Sequence, residues 1–70
     1  MATLGEALKK ARCMAGLTRF EAASKIGVAP RSIARWENNE REPGFKMLCV
    51  IAKCYAIKLS SLIEMIDYVD

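Results

Sequence analysis

Two arginines in this sequence have side chains suited to binding an anionic partner. Arg31 and Arg35 lie four residues apart, and Ile33 and Trp36, three apart, turn to the other side of the same helical stretch. A guanidinium group can donate two hydrogen bonds to a phosphate, or to the O6 and N7 atoms of guanine. The spacing therefore predicts two forked donors on one exposed helical face.

The residue types that catalysis and metal binding require are scarce. The chain has no histidine, and Cys13, Cys49 and Cys54 lack the paired spacing of zinc ligands. It also lacks a glycine-rich phosphate loop and a nucleophile with a neighbouring base. We therefore predict no enzyme activity, metal, cofactor or small-molecule substrate. Cys49 and Cys54 are interpreted as small apolar residues, and a redox-sensor role for Cys13 or Cys49 is the alternative.

Positive charge is concentrated in the first two thirds of the chain. The net charge is +3, with nine Lys and Arg against five Glu up to Lys46, and two Lys against three acids from Met47 onward. A basic region of this kind is typical of a surface that binds a polyanion. No apolar run approaches the roughly 18 residues that span a bilayer, and the start lacks a signal peptide. We expect a soluble cytoplasmic protein.

The two arginines lie in the second of two short predicted helices. Thr18-x-x-Glu21 is a capping box, which predicts a helix from Arg19 to Ile26. Gly27 ends that helix, and Pro30 is suited to the first position of the next one. The second helix is expected from Pro30 to about Asn38, with Asn39 in a left-handed conformation.

Similar signals predict three more helices, so that residues 1–70 form a single all-α domain of five helices. Thr3-x-x-Glu6 is a second capping box and predicts a helix from Leu4 to Ala15. Ser61-x-x-Glu64 predicts the start of the fifth helix. The fourth helix carries an apolar stripe that is interpreted as core, made of Phe45, Leu48, Ile51, Ala52 and Tyr55.

The spacing of Ala23, Gly27 and Ile33 resembles the helix-turn-helix of the Cro and phage-repressor (XRE-type) DNA-binding family. The resemblance implies a compact, lambda-repressor-like domain in which helices 2 and 3 form the motif. It extends over roughly Leu4 to Ile66, through Leu4-Gly5-Glu6-x-Leu8, Gly16-Leu17-Thr18, Trp36-Glu37-Asn38, Arg41-x-Pro43 and Ile51-Ala52-Lys53.

This family resemblance implies sequence-specific binding of double-stranded DNA by a transcriptional regulator, more often a repressor than an activator. Helix 3 would enter the major groove while helix 2 crosses the backbone. The alternative is an adaptor or antitoxin-like module that keeps the fold without reading DNA. The residues expected at base edges are Pro30, Arg31, Ala34 and Arg35, and those expected at phosphates are Arg19, Ser32, Asn38, Arg41 and Lys46.

The resemblance also implies one ion pair, between Arg12 and Glu37, with two unrelated surface charges as the alternative. Three residues of helix 2 depart from the family pattern, which usually has Gln at Arg19, a polar residue at Phe20 and Leu at Ala22. We expect Phe20 to cover the space left by the small Ala22, and an exposed contact is the alternative.

Further departures lie in the second half of the chain. Gly44 replaces the usual serine cap, and Ala56 replaces the usual glycine, so that turn must change its geometry or accept strain. Tight binding by so small a domain needs two half-sites about 34 Å apart. We therefore expect a homodimer on a palindromic operator. Its seam is expected at the apolar C-terminal residues, which could instead complete the core: Met65, Ile66, Tyr68 and Val69.

Overall fold

The computed structural model describes residues 2–66, and within this range the regular structure is entirely α-helical. This confirms the predicted all-α, five-helix class. Helix α2 has the predicted bounds, whereas α1 and α3 each end one residue earlier than expected. The helices are α1 (Leu4–Met14), α2 (Arg19–Ile26), α3 (Pro30–Glu37), α4 (Phe45–Cys54) and α5 (Leu59–Glu64).

Helices α1 and α2 begin at the two predicted capping boxes. The Thr3 hydroxyl accepts the Glu6 N–H at 3.2 Å, and the Glu6 carboxylate accepts the Thr3 N–H at 3.1 Å. The same pair of bonds joins Thr18 and Glu21 at 3.1 and 2.9 Å. Hydrogen bonds from Thr18 lower the pKa of the Glu21 carboxyl, its backbone N–H contributing most. Each box satisfies two backbone donors that the helix itself leaves unpaired.

Each of the first four helices is followed, within two residues, by a residue with positive φ. These residues are Gly16, Gly27, Asn39 and Ala56, with φ of 73°, 89°, 60° and 54°. In each case the next residue donates its backbone N–H to a carbonyl five residues back, as Leu17 does to Arg12 at 3.2 Å. Asn39 has the predicted left-handed conformation. Ala56 keeps the geometry usual for glycine, which costs about 1 kcal/mol in strain.

The core lies where α1, α2 and α3 meet the later helices. Its largest fully buried side chains are Ile33, Ile51 and Leu62. Helix α3 packs against α1 and α2, while α5 packs against α1 and α4. The buried alanines Ala22 and Ala23 of α2 allow close packing in this core. As a result, the position of α3 is set by two neighbouring helices.

The predictions for two phenylalanines were wrong. Phe20 was expected to cover Ala22 and Phe45 to lie in the core, but their side chains are 75% and 73% exposed. Both residues lie in the first turn of a helix, where side chains lean toward the N-terminus and thus beyond the end of the helix. Ala22 is already fully buried and leaves no gap for Phe20.

The predicted start of the fifth helix at Ser61 was also wrong. Helix α5 begins at Leu59 after Lys58, which has extended φ and ψ of −71° and 141° and provides no side-chain cap. The register is set by packing, because Leu62 is fully buried. Met65 and Ile66 are half-buried and pack against the core, in agreement with the alternative prediction that they complete it. Tyr68 and Val69 lie outside the described residues.

No helix formed by residues 2–66 is long and apolar enough to cross a membrane.

Candidate nucleic-acid interface

The solvent-facing side of α3 brings together the four residues predicted for base contacts. Arg31 and Arg35 are exposed, and Pro30 and Ala34 are half-buried beside them. Ile33, on the opposite side of the helix, is fully buried. Since positions 30, 31, 34 and 35 share one face of a helix, the two guanidinium groups can reach the same surface of a partner.

The turn before α3 holds this face in place. The Gly27 and Val28 N–H groups both donate to the Ala23 carbonyl, at 2.8 and 3.0 Å. Ala29 is extended, with φ of −75° and ψ of 147°, and Pro30 then opens α3 as the sequence predicts. The turn therefore fixes where α3 begins relative to α2.

The C-terminal end of α3 is held by a buried ion pair. Arg12 donates from Nε to Glu37 Oε2 at 2.6 Å and from Nη2 to Oε1 at 3.2 Å, while its Nη1 donates to the Leu17 carbonyl at 2.8 Å. The Glu37 side chain is only 1% exposed. The hydrogen bond with Glu37 raises the pKa of Arg12, so its guanidinium group stays charged at neutral pH. The pair that the resemblance implied is thus present as a two-bond fork linking α1 to α3.

A third residue joins this pair through a contact that was not predicted from the sequence. Arg19 donates from Nε to Glu37 Oε1 at 3.1 Å, and its side chain is 39% exposed. It was predicted as a phosphate contact, and in the structure its Nε group binds the buried carboxylate. We call Arg12, Arg19 and Glu37 the Glu37 cluster. The sequence signal for it was a cation at the first position of α2, where the family usually has glutamine.

Tyr55 is a buried neighbour of the Glu37 cluster. The pKa of its hydroxyl is raised to about 12, chiefly by burial and then by the charge of Glu37, while the charge of Arg12 opposes the shift. Tyr55 is therefore neutral throughout the physiological pH range.

A second contact that sequence reasoning missed joins the start of α1 to the end of α3. The Asn39 side chain accepts the Gly5 N–H at 2.9 Å and donates to the Thr3 hydroxyl at 2.9 Å. A Cβ on Gly5 would collide with the Glu37 carbonyl oxygen and lie 2.7 Å from that of Trp36. The one available signal was a glycine inside a predicted helix, which often marks a close approach.

The other four residues predicted for phosphate contacts separate into two groups. Ser32 and Arg41 line a surface depression of about 310 Å³ together with Arg35. The Arg41 N–H also donates to the Arg35 carbonyl at 3.4 Å, which keeps the loop beside α3. Asn38 and Lys46 are exposed but do not line this depression.

The cysteines are free thiols. Cys13 is exposed, whereas Cys49 and Cys54 are half-buried in α4. Cys54 packs against the core and its thiol lies 3.6 Å from the Lys25 carbonyl oxygen. These environments agree with the interpretation of Cys54 as a small apolar residue.

Comparison with known proteins identifies the family. A helix-turn-helix family model matches residues 8–62, which is more than half of the chain. The chain is 31% identical over 61 residues to the HTH-type transcriptional regulator ImmR of Bacillus subtilis (strain 168), a match that covers 87% of this chain and 48% of that protein. The chain thus spans about half the length of this relative. On both comparisons it belongs to the XRE-type helix-turn-helix family.

Proposed function

We propose that this protein binds specific sequences in double-stranded DNA and regulates transcription by placing α3 in the major groove. The observation that carries the proposal is the exposed pair Arg31 and Arg35 on a helix whose other side is buried and ion-paired. The major groove admits one α-helix and presents a different donor and acceptor pattern for each base pair. Each arginine can read one guanine, while Pro30 and Ala34 can contact a thymine methyl group.

The same placement brings the DNA backbone alongside α3. Arg41 and Ser32 share the depression with Arg35, so a phosphate next to the bases read by Arg35 lies within their reach. Asn38 and Lys46 extend the polar surface on either side of the Glu40 to Pro43 loop. Such contacts set the register of the helix without reading sequence.

Repression through a palindromic operator is the form of regulation that we propose. A single domain of this kind buries only about 600–1,000 Å² on DNA, so tight binding calls for two copies on adjacent half-sites. The proposed seam is the C-terminal helix, about residues 60–70. ImmR, the relative described above, is named a transcriptional regulator, which supports the regulatory role.

The test is selection of bound duplexes from a random pool, followed by titration of the selected duplex with wild-type protein and with the double variant Arg31→Ala, Arg35→Ala. A good arginine–guanine pair contributes roughly 1–3 kcal/mol of discrimination, so we expect at least a tenfold loss of affinity. The matched control is Lys9→Ala, Lys10→Ala, which removes the same charge from exposed positions of α1. The control should retain preference for the selected sequence.

One observation favours the alternative function, a protein-binding adaptor that does not read DNA. Phe20 is largely exposed on α2, and an exposed aromatic side chain is a common anchor of protein interfaces. The same titration separates the two functions. If wild-type protein shows no salt-dependent binding to any duplex, the adaptor replaces the DNA-binding proposal.

A further inference from the structure

We propose that Glu37, although buried, is a positioning residue for DNA binding that acts through Arg19. The inference rests on the DNA-binding function proposed above. In the DNA complex Arg19 has two roles at once: its Nε group binds Glu37, and its outer Nη groups bind a DNA phosphate. Arg12 completes the Glu37 cluster and holds the carboxylate in place.

The geometry leaves the outer part of Arg19 available. A guanidinium group has five N–H donors, and the bond to Glu37 uses the single one on Nε. Within residues 2–66, the two Nη groups of Arg19 make no hydrogen bond, and the side chain is 39% exposed. The Nη pair is the fork that binds a phosphate with two parallel hydrogen bonds.

The charges of the Glu37 cluster favour an anion as its ligand. One carboxylate serves two guanidinium groups, so the cluster carries one excess positive charge. Arg12 already makes two bonds to Glu37 and one to Leu17, whereas Arg19 makes one bond. Arg19 is also the first residue of α2, where the helix dipole disfavours a cation and favours an anion. A phosphate at this point would compensate both the excess positive charge of the cluster and the positive end of the α2 dipole.

The phosphate of a DNA backbone fits this position better than a small free anion. Helix α2 is the element that crosses the backbone when α3 lies in the major groove. The bond to Glu37 holds the Arg19 side chain before DNA arrives, which reduces the entropy lost on binding. Glu37 thereby influences affinity without touching DNA.

The test compares Arg19→Ala, Arg19→Lys and Glu37→Gln by titration against the selected duplex and a random duplex at several salt concentrations. For Arg19→Ala we expect the slope of log K against log salt to become shallower by about 0.9, with equal weakening on both duplexes. Arg19→Lys should keep the wild-type slope but bind several-fold more weakly, because lysine lacks the planar fork. Urea unfolding of each variant gives its folded fraction.

A double-variant cycle isolates the positioning role. Glu37→Gln should weaken DNA binding about tenfold in the wild-type background, and should cause no further loss when Arg19 is already alanine. Equal losses in both backgrounds would overturn the role of Glu37. If Glu37→Gln does not fold, the two Arg19 variants still test the proposal. An unchanged salt slope in Arg19→Ala would show that Arg19 contacts no phosphate and only stabilises the fold.

The outcomes also separate this inference from the proposed function. If wild-type protein binds no duplex in a salt-dependent way, both fail. Wild-type binding together with an unchanged slope in Arg19→Ala would reject only the inference about Glu37 and Arg19.

Discussion

The two sides of α3 differ in whether their polar side chains form bonds with the rest of the fold. On the inner side, the Glu37 carboxylate accepts hydrogen bonds from two arginines, and the Asn39 amide just beyond the helix joins it to the start of α1. On the outer side, Arg31 and Arg35 are exposed and form no ion pair with any residue in the range 2–66. The difference indicates that the inner side stabilises the domain and the outer side is available for a ligand.

The largest effect should come from removing the buried carboxylate. Glu37→Ala leaves Arg12 buried without a counter-charge, and breaking a buried pair in this way costs about 3–5 kcal/mol. Urea denaturation followed by circular dichroism measures the loss. The double variant Arg12→Met, Glu37→Leu removes both partners and should lose much less. A loss below about 1 kcal/mol for Glu37→Ala would show that the inner side is not the stabilising one.

The buried tyrosine on the inner side should make stability fall at high pH. The pKa of Tyr55 is raised to about 12 in the folded protein, so its proton is held more tightly there than in the unfolded chain. That stabilisation is complete below pH 10 and is lost as pH rises toward 12, with a total of about 2.5 kcal/mol. Tyr55→Phe should remove this part of the pH dependence, as measured by urea denaturation between pH 8 and 12.

The close contact between α1 and α3 should not tolerate a methyl group. Gly5→Ala places a Cβ against the carbonyl oxygens of Trp36 and Glu37 and should cost about 2 kcal/mol, in line with other overpacked sites. Gly44→Ala is the matched control, because a Cβ there meets open space. Thermal unfolding of both variants gives the comparison, and equal melting temperatures would mean that α1 moves aside without cost.

The contribution of the Asn39 side chain to stability can be measured by comparison with Ala56, which also has a positive φ. Ala56→Gly relieves a positive φ and loses no hydrogen bond, so it should stabilise the domain by about 0.5–1 kcal/mol. Asn39→Gly also relieves a positive φ but loses the bonds to Gly5 and Thr3, and should destabilise it by about 1 kcal/mol. If both variants are stabilised in urea denaturation, the Asn39 bonds contribute nothing.

The smallest effect on stability should come from the outer side of α3. Arg31→Ala and Arg35→Ala should each change the free energy of unfolding by less than about 0.5 kcal/mol, because both side chains are exposed and unpaired within the described fold. Urea denaturation beside Glu37→Ala makes the contrast direct. A loss near that of Glu37→Ala would remove the distinction between the two sides.

The sequence predicted the starts of α1, α2 and α3 because their signals are local. A capping box is closed by hydrogen bonds within four residues, and Pro30 fixes its own φ. At α5 no such bond forms, and the buried Leu62 decides the register instead of Ser61. Local patterns predict an element well only where local hydrogen bonds determine it.

Contacts between distant residues were harder to predict. The link between Arg12 and Glu37 followed from the family resemblance, whereas that between Arg19 and Glu37 did not, since a side chain with several donors can serve more than one partner. The exposure of Phe20 depends on the direction in which a first-turn side chain leans, which apolar periodicity does not contain. The outward face of α3 was predictable because the burial of Ile33 fixes the orientation of the helix.

Two guanidinium groups share one carboxylate. This arrangement affects the order in which related chains can lose the residues of the Glu37 cluster. A lineage that first loses the cation at Arg19 keeps the ion pair between Arg12 and Glu37, which should be enough to maintain the fold. A lineage that first loses Glu37 must pass through an intermediate with two uncompensated cations. For the stability of the fold, a change at position 19 should therefore cost little, whereas a change at position 37 alone should cost more than a joint change at positions 12 and 37.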